Sequence, residues 1–181
     1  MAEPADHLSR VTTILHELRG LGFKPVLVGG MALVVLGSRR VTRDFDFVLA
    51  DPRDRLDSVV GLFYDQGLEL VSRLDESGNV TATINNRRVA SVRLRLDTPV
   101  SASFFSVSTG LRVDLLFDFP APAADLVTRA RRITIRGQSL LIASEDDLLR
   151  LKRMAAAARS VAGDADDIAF LEARRRKPDR A

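Results

Sequence analysis

The segment 26–48 constrains the fold of this chain most, because it places two glycines and two acids in one short pattern. It predicts an apolar strand, a glycine pair, a short apolar helix, a basic loop and a second strand over residues 45–50. Successive strand residues point to opposite faces, so Asp44 and Asp46 share one side while the phenylalanines beside them enter a core. Their Cα atoms should lie roughly 7 Å apart, from the rise per residue in a strand. That spacing suits carboxylates that converge on one divalent cation, or on a pair of metals about 3.5–4 Å apart.

Gly29 and Gly30 at the end of the first strand predict a phosphate-binding turn. Glycine lets backbone amides approach a ligand closely, and the N-terminus of the short helix predicted over residues 30–37 attracts anions. Metal carboxylates beside such a turn indicate phosphoryl or nucleotidyl transfer. The alternatives are structural, because a glycine pair can be only a tight turn and an Asp-x-Asp pair can be a solvated strand edge.

The segment Leu111–Phe117 supplies a candidate third carboxylate. Its odd-numbered residues are apolar, so the pattern predicts a half-buried strand with Asp114 on the other face, together with Arg112. Acids are disfavoured within strands, so Asp114 fits a carboxylate that a neighbouring strand brings to the first two acids. The alternative is an edge-strand acid that faces solvent. Asp118, just beyond, would face the other way and is the weaker candidate.

The arrangement Gly-Gly-x-Ala, then Gly-x-x-Arg-x-Thr-x-Asp-x-Asp, resembles the signature of the nucleotidyltransferase superfamily, whose fold is shared with the palm of DNA polymerase β. This variant most resembles the minimal nucleotidyltransferases of the AbiEii-type abortive-infection toxin group. Aminoglycoside and lincosamide nucleotidyltransferases share the fold more distantly. The resemblance implies that Gly29, Gly30 and Arg40 belong to the nucleotide site, with Thr42 fixing their loop. It also implies that Asp114 helps to hold the metals or activates the attacking group.

The C-terminal segment carries a second set of candidate residues. A predicted helix places Lys152 beside an apolar stripe, and Arg159 lies nearly on the same line of that helix. This Lys-x6-Arg pattern, with the acids that follow it, resembles the tail of the same toxin group, although Ala157 replaces a hydroxyl residue that is usual there. The resemblance implies that Lys152 and Arg159 contact the nucleotide, with Asp164 or Asp167 completing the site. The alternative is a lysine that extends along its helix to water.

Composition excludes several classes of site. The 181 residues contain no cysteine and two histidines, which argues against disulfides, cysteine nucleophiles and a zinc site. No apolar run approaches the roughly 20 residues that cross a bilayer, so we expect a cytoplasmic protein without membrane association. We expect a single compact domain, with a catalytic core over residues 1–143 and a helical segment over residues 144–181 that completes the cleft.

Arginine dominates the basic residues, with 24 arginines among the 27 lysines and arginines, although the net charge is only +3. Guanidinium groups pair with phosphates in a bidentate way, so arginine clusters are typical of nucleic-acid partners. The alternative is a solvated surface in a chain from an arginine-rich genome. The clusters are Arg39, Arg40 and Arg43; Arg87, Arg88, Arg93 and Arg95; Arg129, Arg131, Arg132 and Arg136; and Arg174, Arg175 and Arg176.

Periodicity predicts the remaining elements. Val92, Leu94 and Leu96 alternate with Arg93 and Arg95, which predicts a half-buried strand with a basic outer face. The other predicted elements are helices over residues 6–20, 51–66, 122–129, 144–160 and 163–176, and strands over residues 24–30, 103–108, 111–117, 133–136 and 139–143.

We therefore expect an α/β (α+β) nucleotidyltransferase fold, with a small mixed β-sheet, packed helices and a C-terminal helical pair. The expected reaction moves an NMP from an NTP to a hydroxyl, with one Mg²⁺ or two, for which Mn²⁺ can substitute. Asp44, Asp46 and Asp114 would hold the metal, while Lys152 would contact phosphates during catalysis. The expected acceptor is an RNA end, above all tRNA, in a toxin with an antitoxin protein as candidate partner. The alternatives are an aminoglycoside-type antibiotic as acceptor and a non-catalytic nucleotide-binding module.

Overall fold

The computed structural model describes residues 4–158 and 163–176. The helices are α1 (Pro4–Gly20), α2 (Gly29–Val35), α3 (Leu56–Asp65), α4 (Arg87–Asp97), α5 (Ala123–Arg129), α6 (Glu145–Ala158) and α7 (Asp164–Arg176). The strands are β1 (Val26–Val28), β2 (Asp44–Leu49), β3 (Glu69–Leu74), β4 (Val80–Ile84), β5 (Ser101–Phe105), β6 (Arg112–Phe117), β7 (Arg131–Ile135) and β8 (Gln138–Ile142).

In this described part of the chain, the eight strands form one mixed sheet in the order β4-β3-β5-β6-β2-β1-β8-β7. β2 runs parallel to β6 and β1 runs parallel to β8, whereas the other neighbouring strands are antiparallel. The acid-bearing strand β2 therefore lies inside the sheet, between β1 and β6. The predicted mixed sheet with packed helices is confirmed.

The core follows the apolar periodicity of the sequence. In α1, Val11, Ile14, Leu15 and Leu18 are fully buried, because residues three and four apart share the helix face that packs on the sheet. All three residues of β1 are buried, as expected for a strand covered on both faces. At the C-terminus, α6 packs against α7, which confirms the predicted helical pair. The division of the chain at residue 143 stays a prediction.

The predicted basic strand around Val92 is wrong, because these residues belong to helix α4. The side chain of Asn86 caps this helix by accepting a hydrogen bond from the amide of Val89, with a donor–acceptor distance of 3.1 Å. Helical geometry buries Leu94 but leaves Leu96 77% exposed. Three alternating apolar residues fit a strand equally well, and only the cap and the packing of the helix against α3 distinguish the two.

Two further differences between prediction and structure concern the strands. The hairpin of β3 and β4 was not predicted; β3 mixes polar and apolar residues without strict alternation, although the five residues of β4 do alternate. The first strand ends at Val28 rather than residue 30, because Gly29 has a φ of +67° and begins α2. Among the described helices, none combines the length and the apolar character that a membrane span requires.

Candidate active site

The two strands β2 and β6 bring the predicted acids together. Asp46 and Asp114 are Cα partners across the parallel pair, and Asp44 lies one pleat away, opposite Arg112. Residues that are directly opposite on paired strands share a face of the sheet, so the three carboxylates lie on one side. The intervening Phe45 is buried in the core, as predicted. Because β6 is an interior strand, the alternative of an edge-strand acid is wrong for Asp114. We call Asp44, Asp46 and Asp114 the acid trio.

The acid trio is electrostatically unfavourable as it stands. Burial first, and then the nearby charges of Asp114 and Asp44, together raise the pKa of Asp46 to about 7. Burial also raises the pKa of Asp44, an effect that Asp114 reinforces and Arg112 opposes. Removing carboxylates from water disfavours their ionised form unless a cation compensates it. The trio is therefore a place where added positive charge would be stabilising.

Arg112 is the functional neighbour that the sequence prediction missed. Its Nε donates to Oδ1 of Asp114 at 2.9 Å, and both side chains are only 16% exposed. The available signal was its position two residues before Asp114, which puts both on one strand face. Within residues 4–158 and 163–176, no group of three or more acid, histidine or cysteine side chains is arranged as a metal cluster. One oxygen of the third carboxylate is instead held by a guanidinium.

Side chains of the candidate site pack directly against the two glycines. A Cβ on Gly29 would lie 2.0 Å from Oδ2 of Asp46, so only glycine lets that carboxylate rest against the turn. A Cβ on Gly30 would lie 2.8 Å from Cζ of Arg40, whose guanidinium covers this residue. The glycines therefore accommodate the candidate site's own carboxylate and guanidinium. Their predicted close approach to a phosphate stays a prediction.

The C-terminal helices carry three members of a cluster of four charged residues, and Arg40 is the fourth. Asp167 accepts from Arg40 and also pairs with Nζ of Lys152 at 2.6 Å. Lys152 lies 3.4 Å from Oδ1 of Asp164, and its side chain is only 14% exposed. The charge of Lys152 also lowers the pKa of Asp46, although burial outweighs this effect. Lys152 is therefore enclosed by carboxylates, which contradicts the alternative of a lysine extended to water.

Other candidate residues lie as follows. Thr42 is half-buried in the loop before β2, between Arg40 and the first acid of the trio. Arg159 lies outside the described residues.

Asp118 accepts hydrogen bonds from the backbone amides of Asp51, at 3.0 Å, and Ala123, at 2.8 Å, so it holds the chain between β6 and α5. Among the described residues, Oδ2 of Asp164 is a buried oxygen without a hydrogen-bond partner.

A separate groove of about 850 Å³ lies between α3 and α4, away from the acid trio. It includes Arg87, which pairs with Asp65 at 3.3 Å, and Arg95, which pairs with Asp57 at 2.7 Å. Of the two arginines predicted on a basic strand face, Arg95 is thus paired with an acid of the neighbouring helix, and Arg93 pairs with Asp97 of its own helix.

Solved structures share this architecture. The lincosamide antibiotic adenylyltransferase LnuA in its lincomycin-bound form matches with a TM-score of 0.56 and 13% identity, over 91% of this chain and 95% of that chain. The antibiotic-resistance factor ANT(2″)-Ia matches with a TM-score of 0.60 and 11% identity, over 95% of this chain and 85% of that one. An antigenic nucleotidyltransferase-like protein from Paracoccidioides brasiliensis matches with a TM-score of 0.56 and 18% identity, over 93% of this chain and 76% of that one.

The chain has a nucleotidyltransferase fold. No protein-family model and no curated protein matches its sequence. The predicted fold class is therefore confirmed, while membership of the AbiEii-type group stays a prediction. On this nucleotidyltransferase fold, the acid trio on β2 and β6 lies beside the turn that opens α2, and the charged cluster of α6 and α7 joins the same site through Arg40.

Proposed function

We propose that the protein is a nucleotidyltransferase that moves an NMP from an NTP to an acceptor hydroxyl and releases pyrophosphate. The observation that carries this proposal is the pairing of Asp46 with Asp114 across β2 and β6, with Asp44 one pleat away. Three partly buried carboxylates on one face, with the pKa values of Asp44 and Asp46 raised, cost stability unless they serve a cation or a proton transfer. The nucleotidyltransferase fold of the chain and of its structural neighbours supports the same reaction class.

The acid trio fits a divalent metal in its chemistry. Carboxylate oxygens are the ligands that Mg²⁺ prefers, and Mn²⁺ accepts the same donors. Asp44, Asp46 and Asp114 would hold the metal, with Asp114 available only through the oxygen that Arg112 leaves or after this pair opens. When bound, the metal would neutralise charge on the transferring phosphate and in the transition state. In the same proposal, Asp114 orients or deprotonates the attacking hydroxyl.

The nucleotide would lie between the glycine turn and the charged cluster. Backbone amides of Gly29 and Gly30 are suited to the triphosphate; Arg40 covers Gly30, and Lys152 shares the partner Asp167 with Arg40. Both cations are engaged by Asp167, so a triphosphate would have to replace this carboxylate as their partner. The proposed roles of Arg159, Asp164 and Asp167 as nucleotide contacts, and of Thr42 in fixing the loop of the nucleotide site, rest on the sequence resemblance.

For the acceptor, an RNA end, above all tRNA, in a toxin with an antitoxin partner remains our first proposal. The arginine clusters support it, although several of these arginines pair with acids, such as Arg93 with Asp97 at 3.3 Å. A small antibiotic is the second candidate, because the lincosamide antibiotic adenylyltransferase LnuA and the antibiotic-resistance factor ANT(2″)-Ia share this fold. A nucleotide-binding module without catalysis is the third.

One experiment separates the three. Purified protein would be incubated with each labelled NTP and Mg²⁺, and with total tRNA, an aminoglycoside or a lincosamide in turn. Label on tRNA supports the RNA acceptor, and label on a drug supports the antibiotic acceptor. Nucleotide binding without transfer to any acceptor would support the non-catalytic module. The Asp44→Asn protein is the matched control, because it keeps the shape of the site and loses one metal ligand.

A further inference from the structure

Arg112 is set among the three acids rather than beside them. Its Cα partner on β2 is Asp44, and it precedes Asp114 by two residues on the same face of β6. Arginine side chains normally extend to water, but this one is only 16% exposed. The free-energy cost of removing a guanidinium from water must be offset by opposite charges and hydrogen bonds, and the contacts of Arg112 supply both.

The guanidinium links the acid trio to the β3–β4 hairpin. Nε donates to Asp114 at 2.9 Å, and Nη1 donates to the carbonyl of Gly78 in the hairpin turn at 3.1 Å. A third, longer contact of 3.5 Å runs from Nη2 to the hydroxyl of Ser103. The turn itself is held by Asp75, whose carboxylate accepts from the amides of Ser77 and Asn79. Arg112 thus reaches from a well-held turn to one oxygen of the third acid.

The charge of Arg112 acts on the whole trio. Burial and neighbouring acids raise the pKa of Asp44 and of Asp46, and in both cases Arg112 opposes the rise. Lys152 acts only on Asp46 in this way, as the smallest contribution, and it is engaged by two other carboxylates. Arg112 is therefore the principal positive charge that compensates the three acids in the protein as it stands.

We propose that Arg112 is a built-in counter-cation of the acid trio, which holds Asp114 when no metal is bound and competes with a divalent cation for it. This inference rests on the proposed function, because it takes the trio to be the metal site. Two physical effects of Arg112 both weaken metal binding. A metal ligated by Asp114 must displace the Arg112 hydrogen bond from that carboxylate, and the fixed positive charge repels the incoming cation. Arg112 would thereby stabilise the metal-free protein at the expense of metal affinity.

The test compares Mn²⁺ binding to chelator-stripped, full-length protein by calorimetry at pH 8, in the wild type and two variants. Arg112→Gln removes the charge and keeps amide donors, so we expect Mn²⁺ to bind about tenfold more tightly. Arg112→Lys keeps the charge and should remain within about twofold of the wild type. Arg95→Gln, which breaks the exposed pair with Asp57, is the control and should leave Mn²⁺ affinity unchanged.

Unchanged or weaker Mn²⁺ binding in Arg112→Gln would overturn the inference and leave the proposed function standing, provided that the wild type binds Mn²⁺. A wild type and an Arg112→Gln protein that both fail to bind any Mn²⁺ would overturn the metal site as well. A purely structural role would lower stability in the variants without the gain in affinity or its reversal by lysine.

A measurement on the wild type keeps the test independent of how the variants fold. Because Nε of Arg112 donates to Asp114, saturation with Mg²⁺ should shift one arginine Nε–H resonance in the ¹⁵N NMR spectrum. If no arginine Nε–H resonance moves at saturating Mg²⁺, Arg112 does not exchange places with the metal and the inference is wrong.

Discussion

Replacing Asp46 by asparagine should stabilise the metal-free protein, and the gain should depend on pH in a defined way. The pKa of Asp46 is raised to about 7 in the folded protein, chiefly by burial and then by Asp114 and Asp44. In the unfolded chain this carboxyl has a pKa of about 3.9. Between these values the folded state binds the proton and the unfolded state has lost it. The free energy of unfolding therefore falls as pH rises from about 4 to about 7, and then levels off.

The magnitude follows from the same two pKa values. They differ by roughly three units, and each unit corresponds to about 1.4 kcal/mol, so the full loss at pH 8 is at most about 4 kcal/mol. Asparagine has nearly the same shape and carries no charge at any pH. For a chain of this length, each kcal/mol moves the melting temperature by about 2–4 °C, so at pH 8 the variant should melt higher by at most about 8–16 °C.

The assay is urea unfolding in the presence of a chelator, at several pH values between 4.5 and 8.5. The difference between the Asp46→Asn protein and the wild type isolates Asp46, because groups with lowered pKa values, such as Asp147, contribute equally to both. The control is Asp97→Asn, an exposed residue paired with Arg93, whose difference curve should stay within about 0.5 kcal/mol at all pH values. A flat difference curve for Asp46→Asn, or one that falls with pH, would refute the reasoning.

Three further predictions test the surroundings of Asp46. Mg²⁺ should raise the melting temperature of the wild type at pH 8 and should have little effect on Asp46→Asn, as a thermal shift assay would show. Gly29→Ala should lower the free energy of unfolding in urea by about 2–4 kcal/mol, because its Cβ meets Asp46. The control Gly37→Ala, with positive φ but open space, should lower it by only about 1 kcal/mol, and equal losses in the two variants would mean that the clash has no effect. Lys152→Ala should weaken NTP binding at least about tenfold in a titration. The control Arg153→Ala, which breaks an exposed ion pair between the same two helices, should leave NTP affinity unchanged, and equal affinities of the two variants would place the phosphates elsewhere.

The sequence by itself determined the features that depend on near neighbours along the chain. A period of two put Asp44 and Asp46 on one face of β2 and Phe45 in the core, and a period of 3.6 defined the buried side of α1. The same local reasoning failed at α4, because the alternation around Val92 is too short to separate a strand from a helix.

Only the tertiary structure decided which of these residues meet. Arg112 lies opposite Asp44 because β6 pairs in parallel with β2, a register that the sequence of neither strand contains. Arg40 and Asp167 are 127 positions apart, yet they form one ion pair that also engages Lys152. Local periodicity sets which way a side chain points, whereas the partner it finds depends on how strands and helices pack over long separations. The residue types of the candidate site were therefore predictable, whereas the ion pairs that these residues form with one another were not.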